Sequence, residues 1–251
     1  MKIEGIIFDK DGTLIDFYKT WIPAAIAVVD NVFVDYEISE SMDAKEKVLN
    51  AIGISENQVA PDSSFAWKTY DDIARDMQSV LEQLLSTKID VHSLGNKLAN
   101  YFEEEICENG KMIECAFDLP SIIKSLNSQN INIGIATTDT YRATIKCLDK
   151  IGILKYFTFF AMDKMPNYMP LKPSGEIITK AAKYWDIDSE KILVVGDTLN
   201  DMRFAHNGGA IAVGVLSGVS KRQDLQAMAD YIIDSVADLP ELIYTIEKRK
   251  I

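Results

Sequence analysis

Short apolar runs recur along the chain and alternate with longer segments in which apolar and polar residues mix. Each run has the length of a single strand, and most are rich in β-branched or aromatic side chains. This is typical of strands buried on both faces. The predicted strands are Ile3–Phe8, Ile131–Ala136, Phe157–Ala161, Lys191–Val195, Ala210–Val215 and, with a weaker pattern, Tyr231–Asp234.

The segments between these strands carry apolar residues at helical spacing. The helices predicted in this part of the chain are Leu119–Asn127, Tyr141–Ile151, Ser174–Trp185, Asp201–Asn207 and Lys221–Ala229. Strands that alternate with helices predict a parallel sheet covered on both faces. Ligands bind such a sheet at the carboxyl ends of its strands.

Residues 16–114 break this alternation, because helical patterns dominate there and no strong strand is present. The predicted helices of this region are Thr20–Val34, Ser41–Ala51, Thr69–Leu85 and Val91–Glu108. We therefore predict an α/β fold with a Rossmann-like parallel-sheet core domain of residues 1–15 and 115–251. An α-helical cap domain of residues 16–114 is inserted after the first strand, where it would lie over the strand ends as a lid.

Two carboxylates, Asp9 and Asp11, directly follow the first predicted strand. Like charges this close raise each other's pKa, and core packing gives no reason for them. Side chains alternate along an extended chain, so Lys10 is expected to point to the opposite side. A divalent cation together with phosphoryl chemistry would account for the pair.

A second acidic cluster follows the strand that ends at Val195. Its first member, Asp197, comes directly after a buried strand and a glycine, whereas Asp201 could serve only as a helix cap. The oxygen ligands of Asp9, Asp11 and Asp197 would form the incomplete cage that Mg²⁺ prefers, with water and substrate completing it. The sequence therefore predicts a Mg²⁺ site.

Groups suited to binding a phosphate follow two further strands. Thr137 and Thr138 supply hydroxyls and backbone N–H groups at one strand end. Lys172 stands just ahead of Pro173, which opens a helix, so the ammonium and the helix N-terminus would reinforce each other near an anion. Each feature is common alone, but together at strand ends they indicate a phosphate site.

Composition limits the partners. The 251 residues carry a net charge of −12, which argues against a nucleic-acid partner. The apolar run near residue 25 is too short to cross a membrane. Three cysteines without a Cys-x-x-Cys pair, and an N-terminus without a signal-peptide pattern, favour a cytoplasmic location. We expect a small phosphorylated metabolite as the partner, and the sequence leaves the oligomeric state open.

This ordered set of motifs resembles the haloacid dehalogenase superfamily of phosphohydrolases, over essentially the whole chain. The run Asp9–Thr13 resembles the first motif of the family, Thr137 the second, Lys172 the third and Gly196–Asp201 the fourth. An insert after the first motif is similar to the first cap class of the family. The closer resemblance is to phosphoglycolate-phosphatase-like members, and it extends to Val213–Val219 and Ala229–Ser235.

The resemblance implies a Mg²⁺-dependent phosphomonoesterase that works through an aspartyl-phosphate. Asp9 would be the nucleophile, and Asp11 the acid and then the base, with its backbone carbonyl facing the metal. Thr137, Thr138 and Lys172 would bind the phosphoryl group. The supporting residues would be Asp201, which orients Lys172 or a metal-bound water, and Gly12.

Two other functions remain open at this stage. A sugar phosphomutase of the same architecture would return the phosphoryl group to its substrate. A non-catalytic phospho-aspartate signalling or binding module is a weaker alternative, because receiver domains are about half as long and lack the insert. The acid at Asp11 favours phosphoryl transfer over carbon–halogen cleavage, since a halide needs no proton.

The choice of substrate is expected to come from the insert, with 2-phosphoglycolate as the first candidate. The stretch 61–69 joins two predicted helices and mixes hydroxyls, aromatic rings and a cation, as a recognition loop does. Its candidate specificity residues are Ser64, Trp67 and Lys68. Lys19, at the crossing into the insert, could reach a substrate carboxylate.

Overall fold

The structure is a computed structural model that describes residues 1–39, 41–110, 112–116, 118–165 and 169–248. It divides the chain into two compact units. The core unit comprises Met1–Phe17 and Ile113–Ile251, and the insert unit comprises Tyr18–Met112. No helix of the described residues is both long enough and apolar enough to cross a membrane.

The elements are numbered in chain order. The strands are β1 Gly5–Phe8, β2 Ile54–Ser55, β3 Gln58–Val59, β4 Asn132–Thr140, β5 Phe159–Asp163, β6 Ile192–Gly196, β7 Ile211–Val215 and β8 Tyr231–Ile233. The helices are α1 Phe17–Asp35, α2 Met42–Ala51, α3 Ser64–Trp67, α4 Tyr70–Leu85, α5 Val91–Glu103, α6 Leu119–Ser128, α7 Tyr141–Ile151, α8 Glu176–Trp185, α9 Leu199–Asn207, α10 Arg222–Leu225 and α11 Leu239–Lys248.

Among the described residues, a six-stranded sheet of order β5-β4-β1-β6-β7-β8 forms the core unit. All of its neighbouring strands are parallel. The predicted α/β fold with a parallel sheet is thereby confirmed. The order of the strands reverses between β1 and β6, so these two neighbours form the topological switch point at which ligands bind in such sheets.

The bounds of two predicted elements of the core unit differ most from the structure, and those of the others agree to within two residues at each end. The strand predicted to end at Ala136 continues to Thr140, and its register with β5 shifts between these two residues. The helix predicted over Lys221–Ala229 is limited to α10, because the N–H groups of residues 228 and 229 both turn back to the carbonyl of Leu225. The hydrophobic pattern does not report either event.

The insert unit is mainly helical, as its patterns predict, with two additions. A small antiparallel hairpin pairs β2 with β3, and its turn residues Glu56 and Asn57 take φ values of 49° and 59°. Such left-handed pairs match the twist of a two-residue hairpin turn. The stretch 61–69 contains the short helix α3 rather than loop alone.

Aromatic side chains form the centre of the insert unit. The ring of Phe102 lies 5.1 Å from that of Trp21, 5.6 Å from that of Tyr70 and 5.9 Å from that of Phe65, measured between centroids. Pairs at this spacing add to the free energy gained by burial. Phe65 is therefore the residue of α3 that belongs to this aromatic cluster.

Candidate active site

The switch point of the sheet brings the two acidic motifs together. Phe8, the last residue of β1, pairs with Val195 of β6. The next backbone N–H, that of Asp9, donates to the carbonyl of Val195 at 2.8 Å. Asp197 follows two residues after Val195, so both carboxylates emerge from neighbouring strands at the same edge of the sheet.

Three buried carboxylates meet at this edge. Oxygens of Asp9, Asp197 and Asp201 all lie within 4.8 Å of one another. We call these residues the carboxylate cluster. Asp197 is only 1% exposed, so water cannot screen the repulsion within the group. A cation is the simplest way to hold three charges in this space.

Lys172 supplies one positive charge to the cluster. Its Nζ lies 2.5 Å from Oδ1 of Asp9 and 2.6 Å from Oδ1 of Asp201. The ammonium itself is buried, and the peptide bond between Lys172 and Pro173 is cis. The lysine thus bridges the loop that precedes α8, the end of β1 and the first turn of α9.

Asp201 holds its place through both oxygens. Its Oδ2 accepts hydrogen bonds from the N–H and the hydroxyl of Thr198, at 3.0 and 2.6 Å, in the capping box that starts α9. Its Oδ1 contacts Lys172. Asp201 is therefore a helix cap and a partner of the lysine at the same time.

One carboxylate oxygen of Asp197 is suited to a metal ion. Oδ2 of Asp197 accepts the N–H of Val219 at 2.7 Å, whereas Oδ1 is buried and has no hydrogen-bond partner. A buried carboxylate oxygen without a partner is costly unless a cation binds it. Hard carboxylate oxygens are the ligands that Mg²⁺ prefers, so the donor set fits that ion.

The pKa values follow from the same crowding. Burial raises the pKa of Asp9 to about 7, against the opposing effect of Lys172 and with further contributions from Asp201 and Asp11. Burial and the charges of Asp9 and Asp201 raise the pKa of Asp197 well above its usual range. Without a divalent cation, the cluster therefore takes up protons near neutral pH.

Glycines make room for the carboxylates. A Cβ atom on Gly12 or on Gly218 would collide with the side chain of Asp197, and one on Gly196 would collide with Asp201. Gly12 also has a φ of +85°, which side chains rarely tolerate. The cluster is thus packed against bare backbone on several sides.

The loop after β7 takes part in the site, although the sequence analysis assigned it no role. The hydroxyl of Ser217 donates to the carbonyl of Gly12 at 2.7 Å, and Val219 donates to Asp197. This loop therefore ties the turn after β1 to the end of β6. A pair of small residues at the carboxyl end of a strand, Ser217 and Gly218, was the signal available in the sequence.

The expectation that Lys10 points away from its neighbours is wrong. Nζ of Lys10 lies 2.8 Å from Oδ1 of Asp11 and 2.9 Å from Oδ2 of Asp139. The alternation rule fails here because β1 ends at Phe8, and the N–H groups of residues 14 and 15 fold back onto the carbonyl of Lys10. The carboxylate of Asp11 thus pairs with this lysine and is not part of the carboxylate cluster.

The predicted phosphate-binding hydroxyls lie on the neighbouring strand. Ile135 of β4 pairs with Phe8, which brings Thr137 to the edge where Asp9 emerges. The buried hydroxyl of Thr137 accepts the N–H of Asp139 at 3.2 Å. Thr138 is half-buried at the same end of the strand.

The four candidate specificity residues belong to the insert unit. Lys19 is exposed on α1, and Ser64 is buried at the start of α3 with no hydrogen-bond partner for its hydroxyl. Trp67 and Lys68 are half-buried, with Nζ of the lysine 5.5 Å from the centre of the indole ring.

Comparison with known proteins places this arrangement in a family. The sequence model of the family described as haloacid dehalogenase-like hydrolase matches residues 6–215 of this chain. The pyrophosphatase PpaX of Bacillus mycoides is 25% identical over 247 residues, which are 98% of this chain and 99% of that protein. The phosphoglycolate phosphatase of Salmonella choleraesuis is 26% identical over 251 residues, with 94% of this chain and 91% of that protein covered.

A solved structure gives the same fold. The protein YfnB of Bacillus subtilis, in a structure bound to magnesium, superposes with a TM-score of 0.69 at 18% identity, over 97% of this chain and 99% of that one. The resemblance inferred from the motifs is thereby confirmed. The chain belongs to the haloacid dehalogenase-like hydrolase family, as one of its phosphatases.

Proposed function

We propose that this protein is a Mg²⁺-dependent phosphomonoesterase that hydrolyses a small organic phosphate through a phosphorylated Asp9. The observation that carries the proposal is the carboxylate cluster, in which Lys172 bridges Asp9 and Asp201 while Asp197 keeps one buried oxygen without a partner. Such a site combines a nucleophile, a cation for phosphoryl oxygens and donors for a metal ion.

In the first step, a carboxylate oxygen of Asp9 forms a bond to phosphorus, and the bond between phosphorus and the leaving oxygen breaks. Asp11 donates its proton to that oxygen, so the leaving group departs as an alcohol with a neutral hydroxyl. Lys172 keeps the nucleophile oriented and binds a phosphoryl oxygen, together with the hydroxyl of Thr137 and, we propose, Thr138.

In the second step, Asp11 accepts a proton from water, whose oxygen attacks the phosphorus of phospho-Asp9. The bond between phosphorus and the aspartyl oxygen breaks, and phosphate and the free carboxylate result. When bound by Asp9, Asp197 and the backbone carbonyl of Asp11, Mg²⁺ would neutralise negative charge that otherwise keeps nucleophile and substrate apart. Asp201 is a poorer ligand because both of its oxygens are already bonded.

The relatives suggest the substrate class. One is named a phosphoglycolate phosphatase and another a pyrophosphatase, at nearly equal identity. Phosphoglycolate is the first substrate to test, and pyrophosphate is the second. We propose further that the insert unit acts as the cap that selects among them, with Lys19, Ser64, Trp67 and Lys68 as the residues to vary.

The direct test is a phosphate-release assay with phosphoglycolate, pyrophosphate and hexose phosphates, in Mg²⁺ and in EDTA. Asp9→Asn should abolish release, whereas Asp188→Asn, an exposed carboxylate paired with Lys191, should leave it unchanged. Activity that survives in Asp9→Asn would contradict the mechanism. Transfer of phosphate to a second position of the sugar, without release, would instead identify a mutase.

A protein that becomes phosphorylated but turns over no substrate would support the signalling module. Mass spectrometry after incubation with acetyl phosphate separates this outcome from catalysis, because a phosphatase returns to its unmodified mass once the donor is consumed.

A further inference from the structure

Three charged side chains form a buried ion triad beside the carboxylate cluster. The proposed reaction uses one of them, Asp11, and gives no role to the other two, Lys10 and Asp139. Lys10 is 0% exposed, and its ammonium lies between the carboxylates of Asp11 and Asp139. We call these three residues the Lys10 triad. Its members come from the turn after β1 and from the end of β4, so it joins two motifs that are far apart in sequence.

The Asp139 end of the triad is anchored to the backbone. Oδ1 of Asp139 accepts the N–H of Thr140 at 2.7 Å, and its own N–H donates to the hydroxyl of Thr137. Thr140 in turn caps α7 through its hydroxyl, which accepts the N–H of Ala143. Asp139 is therefore a fixed point between a phosphate-site hydroxyl and a helix start.

Lys10 is equally constrained. Its carbonyl accepts the N–H groups of Leu14 at 2.8 Å and Ile15 at 3.0 Å, which fixes its backbone. Its side chain is enclosed, whereas that of Asp11 keeps 16% of its surface exposed. The exposed end of the triad is thus the carboxylate on which proton transfer depends.

Stability alone does not explain such an arrangement. Taking a lysine and two carboxylates out of water costs about as much as their attraction returns, and apolar side chains of similar size often stabilise a core better. Nζ of Lys10 lies 2.8 Å from Oδ1 of Asp11 and 2.9 Å from Oδ2 of Asp139, so its charge is paired on both sides. A permanent charge in a fixed place is suited to orienting a partner.

We infer that Lys10 and Asp139 are positioning residues for Asp11, and that they hold its carboxylate in the direction required for proton transfer to the leaving oxygen and from water. This inference rests on the proposed function. A misplacement of about 1 Å costs catalysis roughly a hundredfold, so loosening the triad should lower kcat for an alkyl phosphate by about tenfold to a hundredfold and leave its KM nearly unchanged, because both steps are slowed.

The leaving group distinguishes positioning from general damage. An alkyl phosphate needs a proton on its leaving oxygen, whereas para-nitrophenolate leaves without one. Asp139→Asn and Lys10→Met should therefore lose activity on the alkyl phosphate in the first step. With para-nitrophenyl phosphate they should release a rapid burst of one nitrophenolate per enzyme, followed by slow turnover, because only the second step still needs the base.

Asp139→Asn is the gentler variant, since its amide oxygen can still accept the N–H of Thr140. Asp11→Asn removes the acid and base itself, and it should therefore show the same loss on the alkyl phosphate and the same nitrophenolate burst. Lys191→Met is the matched control, because Lys191 also pairs with two carboxylates, Glu4 and Asp188, but lies at the opposite end of β6.

The outcomes separate the two proposals. A wild type without phosphatase activity would overturn the proposed function. An active wild type whose triad variants lose both substrates equally, show no burst, lose nothing or fail to fold would overturn the positioning role. A burst of nitrophenolate in Asp139→Asn, together with an unchanged KM for the alkyl phosphate, would support it, provided that Lys191→Met shows no burst.

Discussion

Replacing Asp197 by asparagine should stabilise the metal-free protein and remove its response to Mg²⁺. In the wild type, two unit charges at most 4.8 Å apart repel each other by at least about 3.5 kcal/mol at an effective dielectric constant of about 20. The folded protein either carries this repulsion or takes up a proton that the unfolded chain has released. Asparagine needs neither, and its amide oxygen can still accept the N–H of Val219.

The net gain in the free energy of unfolding should be about 1–3 kcal/mol at pH 7.5 in EDTA, since part of the repulsion is already relieved by proton uptake. For a chain of this length, that corresponds to a rise of about 2–12 °C in Tm. Mg²⁺ at a hundred times its Kd should stabilise the wild type by about 2.7 kcal/mol and the variant hardly at all.

Differential scanning calorimetry of both proteins, in EDTA and in Mg²⁺, tests the reasoning. We expect the variant to have a higher Tm than the wild type in EDTA, and no higher Tm than the wild type in Mg²⁺. A variant that melts below the wild type in EDTA and gains as much from Mg²⁺ would refute the idea that this carboxylate is kept for a cation. Asp188→Asn controls for the loss of an exposed charge.

Three further outcomes are expected. Asp9 has a pKa of about 7 in the folded protein against 3.8 ordinarily, so the metal-free wild type should lose up to about 4 kcal/mol of stability relative to Asp9→Asn as the pH rises from about 4 to about 7. Urea titrations of both proteins across that range measure the difference in their free energies of unfolding. A difference that stays constant with pH would contradict the prediction. Gly218→Ala should lower the free energy of unfolding by about 1–3 kcal/mol and remove most of the stabilisation by Mg²⁺, because its Cβ meets Asp197. Gly209→Ala should also cost about 1–2 kcal/mol, through the φ of +72° at that position, but its Cβ has open space and the Mg²⁺ shift should remain. Equal Mg²⁺ shifts in the two variants would refute the packing argument. Lys172→Met should destabilise the protein by about 3–5 kcal/mol, measured by urea unfolding, because it leaves Asp9 and Asp201 buried without their ammonium. Lys180→Met, at an exposed position, should change the stability by less than about 1 kcal/mol. Similar losses in the two variants would argue against a buried network.

The hydrophobic pattern was sufficient to predict the strands of the sheet and their parallel arrangement. Strands buried on both faces read as continuous apolar runs, and the carboxylates after two of them met as the topology of parallel sheets requires. Asp9 and Asp197 could be placed in one site in advance because the carboxyl ends of parallel strands lie at the same edge of the sheet. The bounds of β4 were out of reach, since its last residues carry hydroxyls rather than an apolar pattern.

Partners set by loops could not be predicted in this way. The direction of Lys10 depends on a turn stabilised by backbone hydrogen bonds to residues 14 and 15. The contacts of Ser217 and Val219 depend on β7 lying next to β6, which becomes known only with the strand order. In both cases the deciding contact depends on the path of the folded backbone, and the small residues Ser217 and Gly218 mark the loop without indicating its partners.

The loop after β7 has a consequence for how the protein is made. Ser217 bonds to Gly12 across 205 residues, and Lys172 reaches Asp9 across 163. During synthesis, Asp9, the proposed nucleophile, therefore leaves the ribosome long before the groups that hold it in place. A nascent or truncated chain that ends before residue 217 has Asp9 but neither the hydroxyl that ties down Gly12 nor the N–H that binds Asp197. The phosphatase site thus comes into being only when nearly the whole chain is present.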